Sequence, residues 1–417
     1  MDFFRLLRRP AAPGSPHAPE PAPKPAPKPA PEPALELVPV PVRELAPEPV
    51  LEPVLELAPK PAPEPVPKPA PEPPAGAGLK RLSLALQGGG AHGAFQWGVL
   101  DRLLEDERLS ICAVTAASAG AMNAVALAAG LAEDGPAGAR ARLDRFWRSV
   151  NHAGGRNVFG DSALWTAAMS PNWLRANPFF RRVEPLMLAA SPYEFNPFNL
   201  NPLHDVLEQT IDFARVRAAP LEVFVSATDV RDAKLKVFVR PELTPEMVMA
   251  SAALPNLFQA VEIEGRRYWD GGYLGNPALW PLIDGEGAPS DILLVTLNPF
   301  HRSQAPRTAG EIVDRLNEIT MNASLSAELR AIAFVQRLIE EGQLTDQAKA
   351  QYRQILIHAI DADHLLQDLS LASKFNTEWS FLSGLKERGR QAADAWLAAH
   401  FDDLGLRSSF DLQERFA

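Results

Sequence analysis

Cysteine is almost missing from this chain of 417 residues. Cys112 stands alone, which excludes a disulfide within the chain and fits a reducing compartment. Long apolar runs are missing as well. No stretch of eighteen apolar residues occurs, so no membrane-spanning helix is expected. The N-terminus, Met1-Asp2-Phe3-Phe4-Arg5-Leu6-Leu7-Arg8-Arg9, lacks the apolar region and cleavage site of a secretory signal. These absences predict a cytoplasmic protein, with a peripheral surface association through that short basic and apolar start as the remaining option. Positive charge is in deficit too. The 41 Lys and Arg against 51 Asp and Glu leave a net charge of −10 with no basic patch, which gives no support to nucleic-acid binding.

Proline is abundant but confined. Of 41 prolines, 25 precede Ala75, in repeats such as PAPKPAPKPAPEP. A segment of that composition cannot build a packed core, so residues 1–78 are expected to be a disordered, polyproline-II-like tail ending in the flexible joint Ala75-Gly76-Ala77-Gly78. The remaining residues are ample for one large core.

That remainder alternates strand and helix patterns. Leu82 to Leu86 reads as a buried strand, followed by three glycines and a helix through Gln96, Leu100 and Leu103. Ile111 to Thr115 reads as a second strand, with Cys112 in it as a small core residue, and leads through Ala116-Ala117-Ser118-Ala119-Gly120 into a helix. An irregular stretch from Asn151 to Leu203 carries Phe159, Trp165, Trp173, Phe179, Phe180, Met187, Tyr193, Phe195 and Phe198, and reads either as a lid or acyl-chain pocket or as plain core cover. A helix from Pro202 to Phe213 precedes strands at Leu221 to Ala227 and Lys234 to Val239. Pro245 opens another helix. Glu264-Gly265-Arg266 marks a tight hairpin ahead of Asp270-Gly271-Gly272, and further strands are expected at Ile292 to Leu297 and Ile355 to Ile360. Helices cover Ala309 to Glu341 and Asn376 to Phe401. Alternation of this kind predicts a three-layer α/β/α sandwich with a largely parallel central sheet.

The glycine stretch admits three chemistries. Gly88-x-Gly90-x-x-Gly93 spells a dinucleotide fingerprint, but the second strand ends at Ser118 rather than at the required acidic residue. A phosphate loop needs Lys before Ser or Thr, and none is present. What survives is an oxyanion hole, with N–H donors at Gly89 and Gly90 and with Gly88 allowing the turn. Ser118, flanked by small residues at a strand-to-helix elbow, supplies a nucleophile about one strand-helix unit later. Two residues compete as its base. His301 fits the chain order nucleophile, acid, histidine, whereas Asp270 stands at a strand end with Gly271 and Gly272 behind it.

Taken together in order, Gly88-Gly89-Gly90-Ala91-His92-Gly93-Ala94, Ala116-Ala117-Ser118-Ala119-Gly120 and Asp270-Gly271-Gly272 resemble the motifs of the patatin-like phospholipases, over roughly Leu82 to Pro299. The resemblance implies Ser118 as nucleophile, Asp270 as base, an oxyanion loop at Gly88, Gly89 and Gly90, and lipid acyl hydrolase activity with no cofactor and no metal. It divides the chain into the tail 1–78, a catalytic core 79–300 and a C-terminal helical extension 301–417 packed on that core. The implied substrate is a lipid or another ester at a membrane or granule surface. Protein partners stay open. An intracellular polyester depolymerase with the same dyad and a catalytically weak interaction protein are the alternatives. Two departures bear on activity: Ala116 stands where the family usually has Gly, and His92 where it usually has Arg or Lys. Alanine is tolerable at 116 provided its φ is negative. A neutral imidazole at 92 would steady the loop less than a fixed cation.

Overall fold

Apolar β-rich runs capped by glycine or serine turns become strands, and the runs alternate between two covered faces. In β1 (Lys80–Leu86), Leu82, Leu84 and Leu86 join one hydrophobic cluster while Ala85 joins another on the opposite side. The computed structural model describes residues 79–155, 191–284, 288–343 and 354–416. The proline-rich tail lies outside the described residues, as do Phe159, Trp165, Trp173, Phe179, Phe180 and Met187, so the expectations of a disordered tail and of a lid there lie outside them too.

Five parallel strands form the centre. β1 is flanked by β2 (Leu109–Ala116) and by β7 (Asp291–Val295); β3 (Glu222–Asp229) continues beyond β2, and β8 (Leu356–Ile360) beyond β7. Antiparallel strands β4 (Lys234–Val239), β6 (Arg266–Asp270) and β5 (Val261–Ile263) extend the β3 side. Glu264 and Gly265 both have positive φ, 51° and 74°, as a two-residue hairpin between right-twisted strands requires. The sheet direction reverses beside β1. Chain order runs outward through β2 and β3 on one side, then resumes on the other with β7 and β8, and the carboxyl ends of strands at such a reversal form a crevice.

Helices cover both faces, as the α/β/α expectation requires. α1 (Gly93–Leu103), α2 (Ala119–Gly155) and the C-terminal α6 (Trp379–His400) share the larger cluster with Leu82, Leu84 and Leu86. α5 (Ala309–Glu340) lies with Leu325, Leu329, Ile332 and Ala333 against Ala85, Ile292 and Leu294 on the other face. Between them, α3 (Pro202–Thr210) and α4 (Pro245–Ser251) both begin on proline behind a side-chain cap, Asn201 and Thr244.

Three expectations are revised. Cys112 is half-buried rather than in the core, because the amino-terminal half of β2 is partly open and Arg81 donates from Nε to its Sγ at 3.2 Å. The helix read from Pro202 to Phe213 stops at Thr210, since Asp212 caps a separate short helix at Phe213–Arg217. The segment 301–417, read as a helical extension, contributes β8 to the central sheet itself. That edge is fastened by His358, whose ring reaches Asp291 Oδ1 at 3.0 Å and Ser409 Oγ at 2.8 Å.

Candidate active site

The crevice at the end of β1 gathers all three motifs. β2 ends at Ala116, and the chain turns through Ser118 into α2 with φ of 52° at the serine itself. A non-glycine residue in that region costs on the order of 1 kcal/mol or more and persists only where its surroundings hold it. Here they do. Ser251 Oγ at the end of α4 accepts from Ser118 N at 2.8 Å, Ala117 N donates to Leu86 O at 3.3 Å, and Met122 N donates to Ser118 O at 3.2 Å. Ala116 is fully buried in the strand and is absent from the positive-φ positions, so the condition for alanine there is met. Any side chain at Gly120 would meet Leu86 O at 2.3 Å, so the elbow packs directly on β1.

Beyond β1, Gly88 and Gly89 are buried and Gly90 is exposed. A Cβ on Gly88 would come 2.8 Å from the Cβ of Ser118, so glycine is required there by the approach of loop to elbow. Gly90 is required by its backbone, with φ of 58°. The Gly88 N–H donates to Asn276 Oδ1 at 2.7 Å. Among the described residues, the N–H groups of Gly89 and Gly90 have no such partner. They open a short turn, Gly90–His92, that leads directly into α1. Gly93 at the head of α1 faces Ala119, which seats the glycine turn against the elbow.

Asp270 closes β6 and is 2 % exposed. Its Oδ1 accepts the Gly272 N–H at 2.7 Å, and its backbone is tied to Ala253 O at 2.9 Å and to Thr228 Oγ1 at 2.8 Å. Gly271 leaves no room for a side chain, since a Cβ there would lie 2.1 Å from Ser226 O. Burial pushes the Asp270 carboxyl up to about 6, against the lowering effects of the Gly272 N–H, a hydrogen bond from the Ser118 hydroxyl and the charge of Lys374. The group therefore titrates close to neutrality. His301, the other candidate base, is exposed, and its backbone N–H is bonded to Asp363 Oδ1 at 3.3 Å.

The departure at position 92 has a structural answer. His92 is 3 % exposed and bonds through Nε2 to Ser373 Oγ at 2.8 Å, while its Nδ1 has no partner among the described residues. Burial first, and the nearby Lys374 charge second, lower its pKa well below the usual imidazole range, so the ring is neutral.

Several residues around the site carried no readable signal in the sequence. Gln87, fully buried, accepts from Leu297 N at 2.7 Å and Asn298 N at 2.8 Å and donates to Asn322 Oδ1 at 2.7 Å. Asn298 donates to Gly88 O at 3.0 Å, and Asn276 donates to Met321 O at 2.9 Å. A lone glutamine at the end of an apolar strand and the asparagine of Asn276-Pro277 were the only local hints. Ser251, Asn298 and Lys374 stood in ordinary helix or loop patterns.

A hydroxyl on a strained elbow, a buried carboxyl that it influences, and two glycine N–H groups without a partner among the described residues are the groups that attack on a carbonyl and stabilisation of its oxyanion call for. Residues 84–283 match the family model described as patatin-like phospholipase. Comparison with curated proteins returns no match. Among solved structures, VipD from Legionella pneumophila is similar at 15% identity and a TM-score of 0.39, covering 77% of this chain and 67% of that one. The ExoU chain of the heterodimeric ExoU-SpcU complex, from the type III secretion system of Pseudomonas aeruginosa, is similar at 15% identity and a TM-score of 0.33, covering 78% of this chain and 52% of that one. The present chain thus spans about half the length of ExoU. Among the described residues, no helix is long and apolar enough to cross a membrane.

Proposed function

We propose that this chain, whose residues 84–283 match the patatin-like phospholipase family model, is a lipid ester hydrolase that cleaves carboxylic esters of lipids with Ser118 as nucleophile and Asp270 as base. The observation that carries the reading is the strained Ser118 elbow together with the buried Asp270 carboxyl, whose pKa is lowered in part by the Ser118 hydroxyl. Asp270 takes the hydroxyl proton as Ser118 Oγ adds to the ester carbonyl. The N–H groups of Gly89 and Gly90 stabilise the oxyanion, and collapse expels the alcohol, which leaves with the proton from Asp270. Asp270 then accepts a proton from water as that water attacks the acyl-enzyme, and return of this proton to Ser118 Oγ frees the fatty acid.

The test is a panel of p-nitrophenyl esters, phospholipids and polyhydroxybutyrate, run with the wild type and Ser118→Ala, together with labelling by a fluorophosphonate. Wild-type turnover and labelling that both vanish in the folded Ser118→Ala variant are the expected result. Full turnover in that variant removes Ser118 as nucleophile. Polyhydroxybutyrate consumed in preference to phospholipid identifies a polyester depolymerase, and unlabelled, correctly folded wild type identifies a non-catalytic interaction protein.

A further inference from the structure

Lys374 belongs to no motif, yet it reaches the glycine turn from a segment far along the chain. It lies in a short helical turn, Leu371–Phe375, whose Ser373 is the partner of His92. Lys374 is half-buried, and its Nζ donates to Asn298 Oδ1 at 2.6 Å and Asn317 Oδ1 at 2.7 Å. Asn298 in turn donates through Nδ2 to the Gly88 carbonyl at 3.0 Å. The Lys374 backbone closes the other end of the turn, because a Cβ on Gly90 would lie 2.4 Å from Lys374 O. One residue thus grips the loop at Gly88, through Asn298, and at Gly90, through its own main chain.

We propose that Lys374 is the positioning residue of this site: its ammonium and its backbone carbonyl together hold the Gly88–Gly90 turn so that the N–H groups of Gly89 and Gly90 stay aimed at the carbonyl under attack. The inference rests on the ester-cleaving reading of Ser118. It also accounts for the neutral imidazole at position 92. The cation that a residue at 92 does not provide arrives from Lys374, and His92 serves as the contact that docks the Lys374 turn through Ser373.

The charged surroundings make this device sensitive to pH. Lys374 faces Asp270 at the end of β6, Asp314 and Glu318 on α5, and His92 in the glycine turn. Glu318 is itself paired with Arg302 and Arg315. Burial lowers the Lys374 amine to about 8, opposed by Glu318, Asp270 and Asp314. Asp270, titrating at about 6, is a carboxylate above that value. Both groups carry their working charge only between the two. Below the window the base is protonated, and above it the ammonium that fixes Asn298 is lost.

The decisive measurement is the second-order rate of fluorophosphonate labelling of the full-length protein, from pH 5 to about pH 9.5. The wild type is expected to give a bell, with its acid limb near 6 and its alkaline limb near 8. Lys374→Met is expected to label about tenfold more slowly at pH 7, with the acid limb moved to higher pH and no alkaline limb. Lys374→Arg, whose charge does not titrate in this range, is expected to restore the acid limb while removing the alkaline one. A Lys374→Met profile superimposable on that of the wild type overturns the proposal. Should that variant fail to fold, a wild-type rate that stays level through pH 8 overturns it equally. Wild type that does not label at any pH overturns the Ser118 reading beneath it, an outcome distinct from either.

Discussion

Replacing Asp270 by Asn is expected to abolish activity and to make the protein more stable at neutral pH. The carboxyl is 2 % exposed, and burial raises it from the ordinary 3.8 to about 6. A group whose pKa is higher folded than unfolded contributes stability that is fully present below the unfolded value and is lost as pH rises through the folded one. Each pH unit over which folded and unfolded chains differ by one bound proton is worth ~1.4 kcal/mol, so holding Asp270 ionised at pH 7 costs the fold about 3 kcal/mol. Asparagine retains an oxygen for the Gly272 N–H and carries no charge to desolvate. The variant should therefore unfold at higher urea than wild type at pH 7, by about 3 kcal/mol less whatever the Asn amide loses beside the Ser118 hydroxyl. Other carboxylates titrate in both proteins and largely cancel in the difference. The margin should shrink steadily as pH falls from 7 to 4 and disappear near the ordinary carboxyl value. A variant no more stable than wild type at pH 7, or a margin independent of pH, refutes the argument that the base is kept reactive by burial.

The other expectations concern the loop and the tail. Gly90→Ala meets both a φ of 58° and the Lys374 carbonyl, and should lower ester turnover by about a hundredfold or more by displacing a donor, read as a fall in kcat with a folded circular dichroism spectrum. Asn276→Ala strands the buried Gly88 N–H, and should lower unfolding stability by about 1–3 kcal/mol in urea titration; a neutral result shows that the loop finds other partners. Deleting Met1 to Pro74 should leave hydrolysis of a soluble short-chain ester unchanged, and a large loss of kcat shows instead that the tail completes the catalytic unit.

What was legible in advance was whatever is settled within a few residues. Three glycines after an apolar run specify a turn, Ala116-Ala117-Ser118-Ala119-Gly120 specifies an elbow free of side-chain collision, and Glu264-Gly265 specifies a hairpin, because in each case local backbone sterics admit few alternatives. The same locality explains the misplaced elements. The sequence around Cys112 marks a strand but not which half of it is covered, and an apolar pattern from Pro202 to Phe213 does not reveal that Asp212 caps a new helix.

Sequence alone determined the turn chemistry and the order of the motifs, and through the family resemblance it put forward a hydroxyl and a carboxylate as the reacting pair. Tertiary structure decided how that pair is tuned and held. Asn276 lies 188 residues from Gly88, Asn298 lies 210 from it, and Ser373 lies 281 from His92, distances that parallel pairing of β1 with β2 and β7 closes and that no local pattern encodes. Burial of Asp270, the neutrality of His92 and the reach of Lys374 all follow from that closure, since desolvation and buried charge exist only once the sheet and its covering helices exclude water.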